Sequence, residues 1–102
     1  MSDTDSPEAR QRAIELLEAN HVFPGEITVS VIARNDDDVT ARVLAAASAA
    51  LDGPLAGEAH ERHPSAQGKY VSHRLKVHCA SAAAVLDLFA RLRAVDGVIT
   101  VL

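Results

Sequence analysis

Two stretches of the chain alternate apolar and polar residues with a period of two, and three others repeat apolar residues at helical spacing. Over Glu26 to Arg34, Ile27, Val29, Val31 and Ala33 alternate with Thr28, Ser30 and Ile32, which predicts a strand whose first set faces a core. Over Lys69 to Cys79, Val71, Leu75, Val77 and Cys79 form one side, and Tyr70, Ser72, Arg74, Lys76 and His78 the other. His73 is the polar exception on the apolar side. This run lacks proline and glycine and is the longest strand candidate. Helical spacing joins Val39, Val43, Ala46, Ala47, Ala50 and Leu51, and again Val85, Leu88, Leu92 and Val95, with Phe89 alongside. A narrower stripe of Ala13, Ile14, Leu16 and Leu17 predicts an N-terminal helix that leans on the domain.

Punctuation residues divide these patterns into elements. Met1 to Asp5 reads as a loose polar start. Ser6-Pro7-Glu8 supplies a capping hydroxyl, a first-position proline and a carboxylate at the positive end of the helix dipole. That helix fades near Asn20, and Phe23-Pro24-Gly25 turns the chain. Asn35-Asp36-Asp37-Asp38 opens the second helix and Gly53-Pro54 closes it. Gly57 to His63 is short and polar, as suits an edge strand. Pro64 to Gly68 forms a hairpin connection; pairing symmetric about Ala66 sets His60 opposite Ser72. Ser81 caps the last helix, Arg91 and Arg93 sit in its final turns, Asp96-Gly97 ends it, and Val98 to Leu102 forms a closing strand. After the first helix the order is β-α-β-β-α-β, two crossovers sharing a hairpin. The expected fold class is α+β, a ferredoxin-like sandwich. Its four-stranded antiparallel sheet has order 4-1-3-2, with two helices on one face and the N-terminal helix added. The expected division is an N-terminal extension over 1–22 and a ferredoxin-like domain over 23–102.

Composition narrows the function classes. A chain of 102 residues makes one domain that buries roughly two-thirds of its unfolded surface. Hydrophobic residues make up 48 %, but Phe23, Tyr70 and Phe89 are the whole aromatic set, so the core is aliphatic and rich in alanine. Fourteen acidic against ten basic residues give a net charge of −4, which opposes a nucleic-acid or anionic-membrane partner. The single Cys79 excludes an internal disulfide and a multi-thiolate metal cluster. With no membrane-length apolar run and no signal-peptide core, the expected setting is the cytoplasm of a bacterial-type cell.

Candidate chemistry is sparse. His21, His60, His63, His73 and His78 show no ligand spacing that converges on one point, so no metal is assigned and they read as solvated strand histidines. The acidic run offers Asn35, Asp36 and Asp38 to a ligand ammonium group, although helix capping and solvated charge are the stronger reading of these residues. It lacks the turn glycine and distal glutamate of a calcium loop, and its charge repels the anion a helix start would otherwise attract. Ser65 to Lys69 has too few glycines for a phosphate loop and precedes a strand, where such a loop precedes a helix. Tyr70 and Arg74 on the open sheet face suit a planar or anionic ligand, but one aromatic falls short of the two or three that RNA-binding sheets present. Cys79 reads as a small buried hydrophobe. No catalytic residue and no cofactor is assigned.

Three segments carry a family resemblance: Phe23-Pro24, Pro64-Ser65-x-x-Gly68-Lys69-Tyr70-x-Ser72, and Gly97-Val98-x-x-Val101-Leu102. Together they resemble the YbeD family of small bacterial proteins over about Phe23 to Leu102, with the hairpin segment as the specific part. The resemblance implies a ferredoxin-like domain similar to ACT-type regulatory domains, in a family with no established activity whose members are not known as enzymes. Pro64, Ser65, Gly68, Lys69, Tyr70 and Ser72 then form a structural signature. The chain departs from ACT domains in having no Pro-Gly pair after its first strand, and the Asn35–Asp38 run and the long N-terminal helix are its own. The expected function is a non-catalytic regulatory or interaction module. It would meet a protein partner or a second copy through the sheet edge Val98 to Leu102. The alternative is an ACT-like sensor that binds an amino acid or similar metabolite through Asn35, Asp36, Asp38, Tyr70 and Arg74.

Overall fold

The computed structural model describes residues 6–51 and 59–102. In chain order the elements are α1 (Pro7–Asn20), β1 (Gly25–Arg34), α2 (Asp37–Leu51), β2 (His60–Pro64), β3 (Tyr70–Cys79), α3 (Ala82–Arg93) and β4 (Val98–Val101). The helix starts follow from their caps. Ser6 Oγ accepts from the Ala9 amide at 3.1 Å, Asp36 Oδ1 from the Asp38 amide at 2.8 Å, and Ser81 Oγ from the Ala84 amide at 3.2 Å. The Met1–Asp5 start, the Gly53-Pro54 helix stop and the Gly57–Glu58 beginning expected for the second strand lie outside the described residues.

The four strands form one antiparallel sheet in the order β2-β3-β1-β4, which read from the β4 edge is 4-1-3-2. β1 and β3 pair along their whole length, so the two alternations found in the sequence coincide. Ile27↔Val77, Val29↔Leu75, Val31↔His73 and Ala33↔Val71 share the inner face, while Thr28↔Lys76, Ser30↔Arg74 and Ile32↔Ser72 share the outer one. β4 follows β1 through Val31↔Val101 and Ile32↔Thr100, shifts register next to Ala33, and ends with Ser30 and Leu102 exchanging both backbone bonds.

The hairpin register differs from the symmetric pairing about Ala66. His60 lies opposite Leu75, Arg62 opposite His73 and His63 opposite Ser72. The turn explains the shift. The Gly68 amide donates to the Ser65 carbonyl at 2.9 Å and the Ser65 amide to the Tyr70 carbonyl at 2.8 Å, so the loop closes later in the chain. Gly68 takes φ +71°, the conformation this turn requires of it.

The inner sheet face and the two helices enclose the core. Val29, Val31, Ala33, Val39, Val43, Ala47, Leu75, Val85, Leu88 and Leu92 have no exposed surface. Alanine at 33 and 47 lets α2 lie close on the sheet. α1 stands apart from this core: it buries no residue fully, Leu17 touches the cluster, and Leu16 is 67 % exposed, so the expected apolar stripe is only half used. An exposed ion pair at 3.7 Å between Arg10 and Asp87 ties α1 to α3.

Candidate functional site

One end of the sheet gathers the β1–α2 turn and the β2–β3 hairpin, and Asn35 fastens them together. Its backbone amide donates to the Lys69 carbonyl at 3.1 Å and its side-chain Nδ2 to the Gly68 carbonyl at 2.8 Å. Its Oδ1 accepts from Arg62 Nη2 at 3.1 Å. Asp36 is occupied as the helix cap, bonding the Asp38 and Val39 amides, and its carbonyl accepts from Thr40. Asp38 is exposed in the first turn of α2 and its carbonyl accepts from Arg42 Nε. Of the three residues offered to a ligand, Asn35 and Asp36 therefore already hold the fold.

The other two candidates lie on the open sheet face. Tyr70, opposite Arg34, is 38 % exposed, with Lys69 Nζ 5.6 Å from its ring centre. Arg74 sits between Ser30 on β1 and Glu61 on β2, about 13 Å along the strand from Tyr70 at 3.3 Å per residue. Tyr70 thus neighbours the Asn35 end, and Arg74 does not. Among the signature residues, Ser65 holds the turn through its backbone and accepts from the Tyr70 amide at Oγ, while Pro64 ends β2 opposite Val71.

The structure also assembles a pair that the sequence pattern left apart. His60 Nε2 and His73 Nδ1 are 2.8 Å apart, with ring centres 5.0 Å apart and tilted by 32°. His73 has no exposed surface, and its Nε2 is buried with no hydrogen-bond partner among the described residues. Burial holds its pKa down to about 4, with the His60 ring and the Arg62 guanidinium adding to the depression. Burial and then Arg62 lower His60 as well. At neutral pH both rings are neutral and one proton bridges them. The reading of these two as solvated strand histidines is therefore corrected: register put His60 on the helix side of the sheet, beside a fully buried His73. His21, His63 and His78 are exposed.

Cys79 is buried, and burial pushes its thiol pKa up, which keeps it protonated and unreactive. Among the described residues no three His, Cys, Asp or Glu side chains gather closely enough to hold a metal ion. No described helix is long and apolar enough to cross a membrane.

Sheet, helix layer and hairpin clasp define a small α+β domain in which the described residues leave one face of the four-stranded sheet open. The family model for DUF493, a protein of unknown function, matches residues 18–102, so the chain belongs to that family, the YbeD family. No curated protein and no solved structure matches the chain.

Proposed function

We propose that the domain is a non-catalytic interaction module that takes a partner strand, or a second copy, along β4. The contrast between the two sheet edges carries this reading. β2 reads His60-Glu61-Arg62-His63-Pro64, an edge guarded by ionisable side chains and closed by a proline. β4 reads Val98-Ile99-Thr100-Val101 and has no charge. Within it Ile99 is 60 % exposed, and Leu102 just beyond it 68 %. Because Ser30 and Leu102 exchange both of their backbone bonds, the alternation of the ladder turns the N–H and C=O of Val101 away from β1, toward an incoming strand. The β-α-β-β-α-β path and strand order support naming the fold ferredoxin-like and placing it near the ACT-type regulatory domains.

Light scattering across a concentration series tests the self-pairing form. The expected outcome is a mass that rises toward the dimer in the wild type and stays monomeric in Ile99→Lys, which sets a charge on the exposed edge. A monomeric wild type at all concentrations leaves only a foreign strand as partner. A dimer that survives Ile99→Lys removes β4 as the edge used.

The sensor reading has less support. Asn35 and Asp36 are committed to the hairpin and the helix cap, and Arg74 stands about 13 Å from Tyr70 on the far side of that end. A thermal-shift panel of amino acids is expected to leave the melting temperature unchanged. A ligand at a hundredfold its dissociation constant would add about 2.7 kcal/mol and reverse this ranking.

A further inference from the structure

β2 contributes almost nothing to the core. Glu61, Arg62, His63 and Pro64 are exposed, His60 is half-buried, and among the described residues the strand pairs only with β3. Among those residues two side-chain bonds fasten it: His60 to His73 at 2.8 Å and Arg62 to Asn35 at 3.1 Å. An edge strand of this kind opens at a far lower free energy than the strands that line the core. We propose that the His60–His73 contact is an acid-operated latch that holds β2 on the sheet when both rings are neutral and frees it when they are protonated. The released strand uncovers the outer backbone edge of β3, a second strand-pairing edge that β2 occupies at neutral pH.

The chemistry of the pair follows from its surroundings. The neutral pair carries two ring protons, one of them in the hydrogen bond between the rings. A third, which makes one ring a cation, is opposed by the burial of His73 and by Arg62, its register partner across the strands. A fourth turns the remaining acceptor into a second donor, and the two N–H groups then face each other. Among the described residues no carboxylate makes an ion pair or hydrogen bond with either ring to offset that charge. Opposite His73 on β1 is Val31, and the side of the β1–α2 turn that reaches Arg62 is the neutral amide of Asn35. The charged residues of α2 (Asp37, Asp38, Arg42) and of α3 (Asp87, Arg91, Arg93) are exposed. Glu61 lies on the opposite face, opposite Arg74 and bonded to His63.

Opening strips His60 and Arg62 from His73 and wets one side of its ring, so its pKa moves up from about 4 toward the ordinary 6.5. The opening constant of β2 therefore rises by up to about tenfold between about pH 7.5 and pH 5.5 from this residue alone. Amide hydrogen exchange followed by NMR on the full chain tests the latch. Corrected for intrinsic exchange, protection of the β2 amides is expected to fall by up to about tenfold over that range, while the amides of Val29 and Val31 keep theirs. In His73→Leu the β2 response to pH is expected to vanish. Should that variant fail to fold, Arg62→Gln serves. It lowers the baseline protection of β2 by cutting the tie to Asn35, and it shrinks the pH response, because a cation that depresses His73 has gone. Parallel loss of protection in β1 and β2, an unchanged β2 in acid, or an undiminished response in both variants would overturn the proposal.

Discussion

Asn35 and Gly68, separated by 33 positions in the chain, are joined by a 2.8 Å bond from the Asn35 side-chain amide to the Gly68 carbonyl. Replacing Asn35 by Ala removes that bond and the one from Arg62, both at an exposed site, so the expected cost is about 1–2 kcal/mol. For a domain of this length that lowers the melting temperature by roughly 4–8 °C per kcal/mol. Asn35→Asp keeps the acceptor for Arg62 and loses the donor to Gly68, and is expected to fall between wild type and Ala. Thermal unfolding of the three proteins decides it; an Ala variant that melts with the wild type would remove the clasp.

The cap at Asp36 can be separated from the charge around it. Asp36→Ala leaves the Asp38 and Val39 amides without their partner and is expected to cost about 1 kcal/mol. Asp37→Ala removes only an exposed first-turn carboxylate and is expected to change stability by less than about 0.5 kcal/mol. Urea unfolding of both variants measures the difference. Equal losses would mean that the run acts through its charge.

Gly97 and Gly68 both take positive φ, at 97° and 71°, but in different company. A Cβ on Gly68 meets nothing within 4 Å, whereas one on Gly97 comes within 2.6 Å of Val39 Cγ2, a core side chain of α2. Gly68→Ala therefore costs backbone strain alone, about 1 kcal/mol, and Gly97→Ala adds overpacking for a total of about 2–4 kcal/mol. Chemical denaturation should rank them in that order. The reverse order would mean that the hairpin, and not the α3–β4 turn, is the tighter constraint.

These contrasts show which features the sequence made legible. The alternations in β1 and β3 are local and found each other in the sheet, because one face of each strand had to be buried. Ser6, Asp36 and Ser81 sit where their side chains satisfy free helix amides, a short-range effect that three or four residues reveal. The His60–His73 pair was not legible, and the reason is register. Pairing about Ala66 sets His60 opposite Ser72, on the open face; the actual turn moves it by three positions, to Leu75. A shift by an odd number flips a residue to the other side of the sheet, and only there does His60 meet His73. The turn bonds of Ser65 that fix this shift are backbone bonds, and no side-chain pattern records them. The structural role of Asn35 was hidden for a similar cause, since its partners come from the far end of the hairpin.

Acid should weaken the domain through His73. Its folded-state pKa is depressed, to about 4 from an ordinary 6.5, so the unfolded chain binds the proton more readily. Stability is fully present above about pH 6.5 and falls as the pH drops toward 4. The ceiling of this loss is on the order of 3 kcal/mol, from 1.36 kcal/mol for each pKa unit. If β2 detaches first, the measured loss stops at the free energy that holds β2, below that ceiling. Urea unfolding at a series of pH values from about 7.5 to 4.5 gives the curve. His73→Leu replaces a buried ring carrying one unpaired nitrogen with an apolar side chain of similar bulk. His60, half-buried, then turns its freed nitrogen to water, so stability at neutral pH is expected to hold or rise. The same variant should flatten the curve between pH 6.5 and about 4. An acid limb that persists unchanged in His73→Leu would assign the loss to other groups.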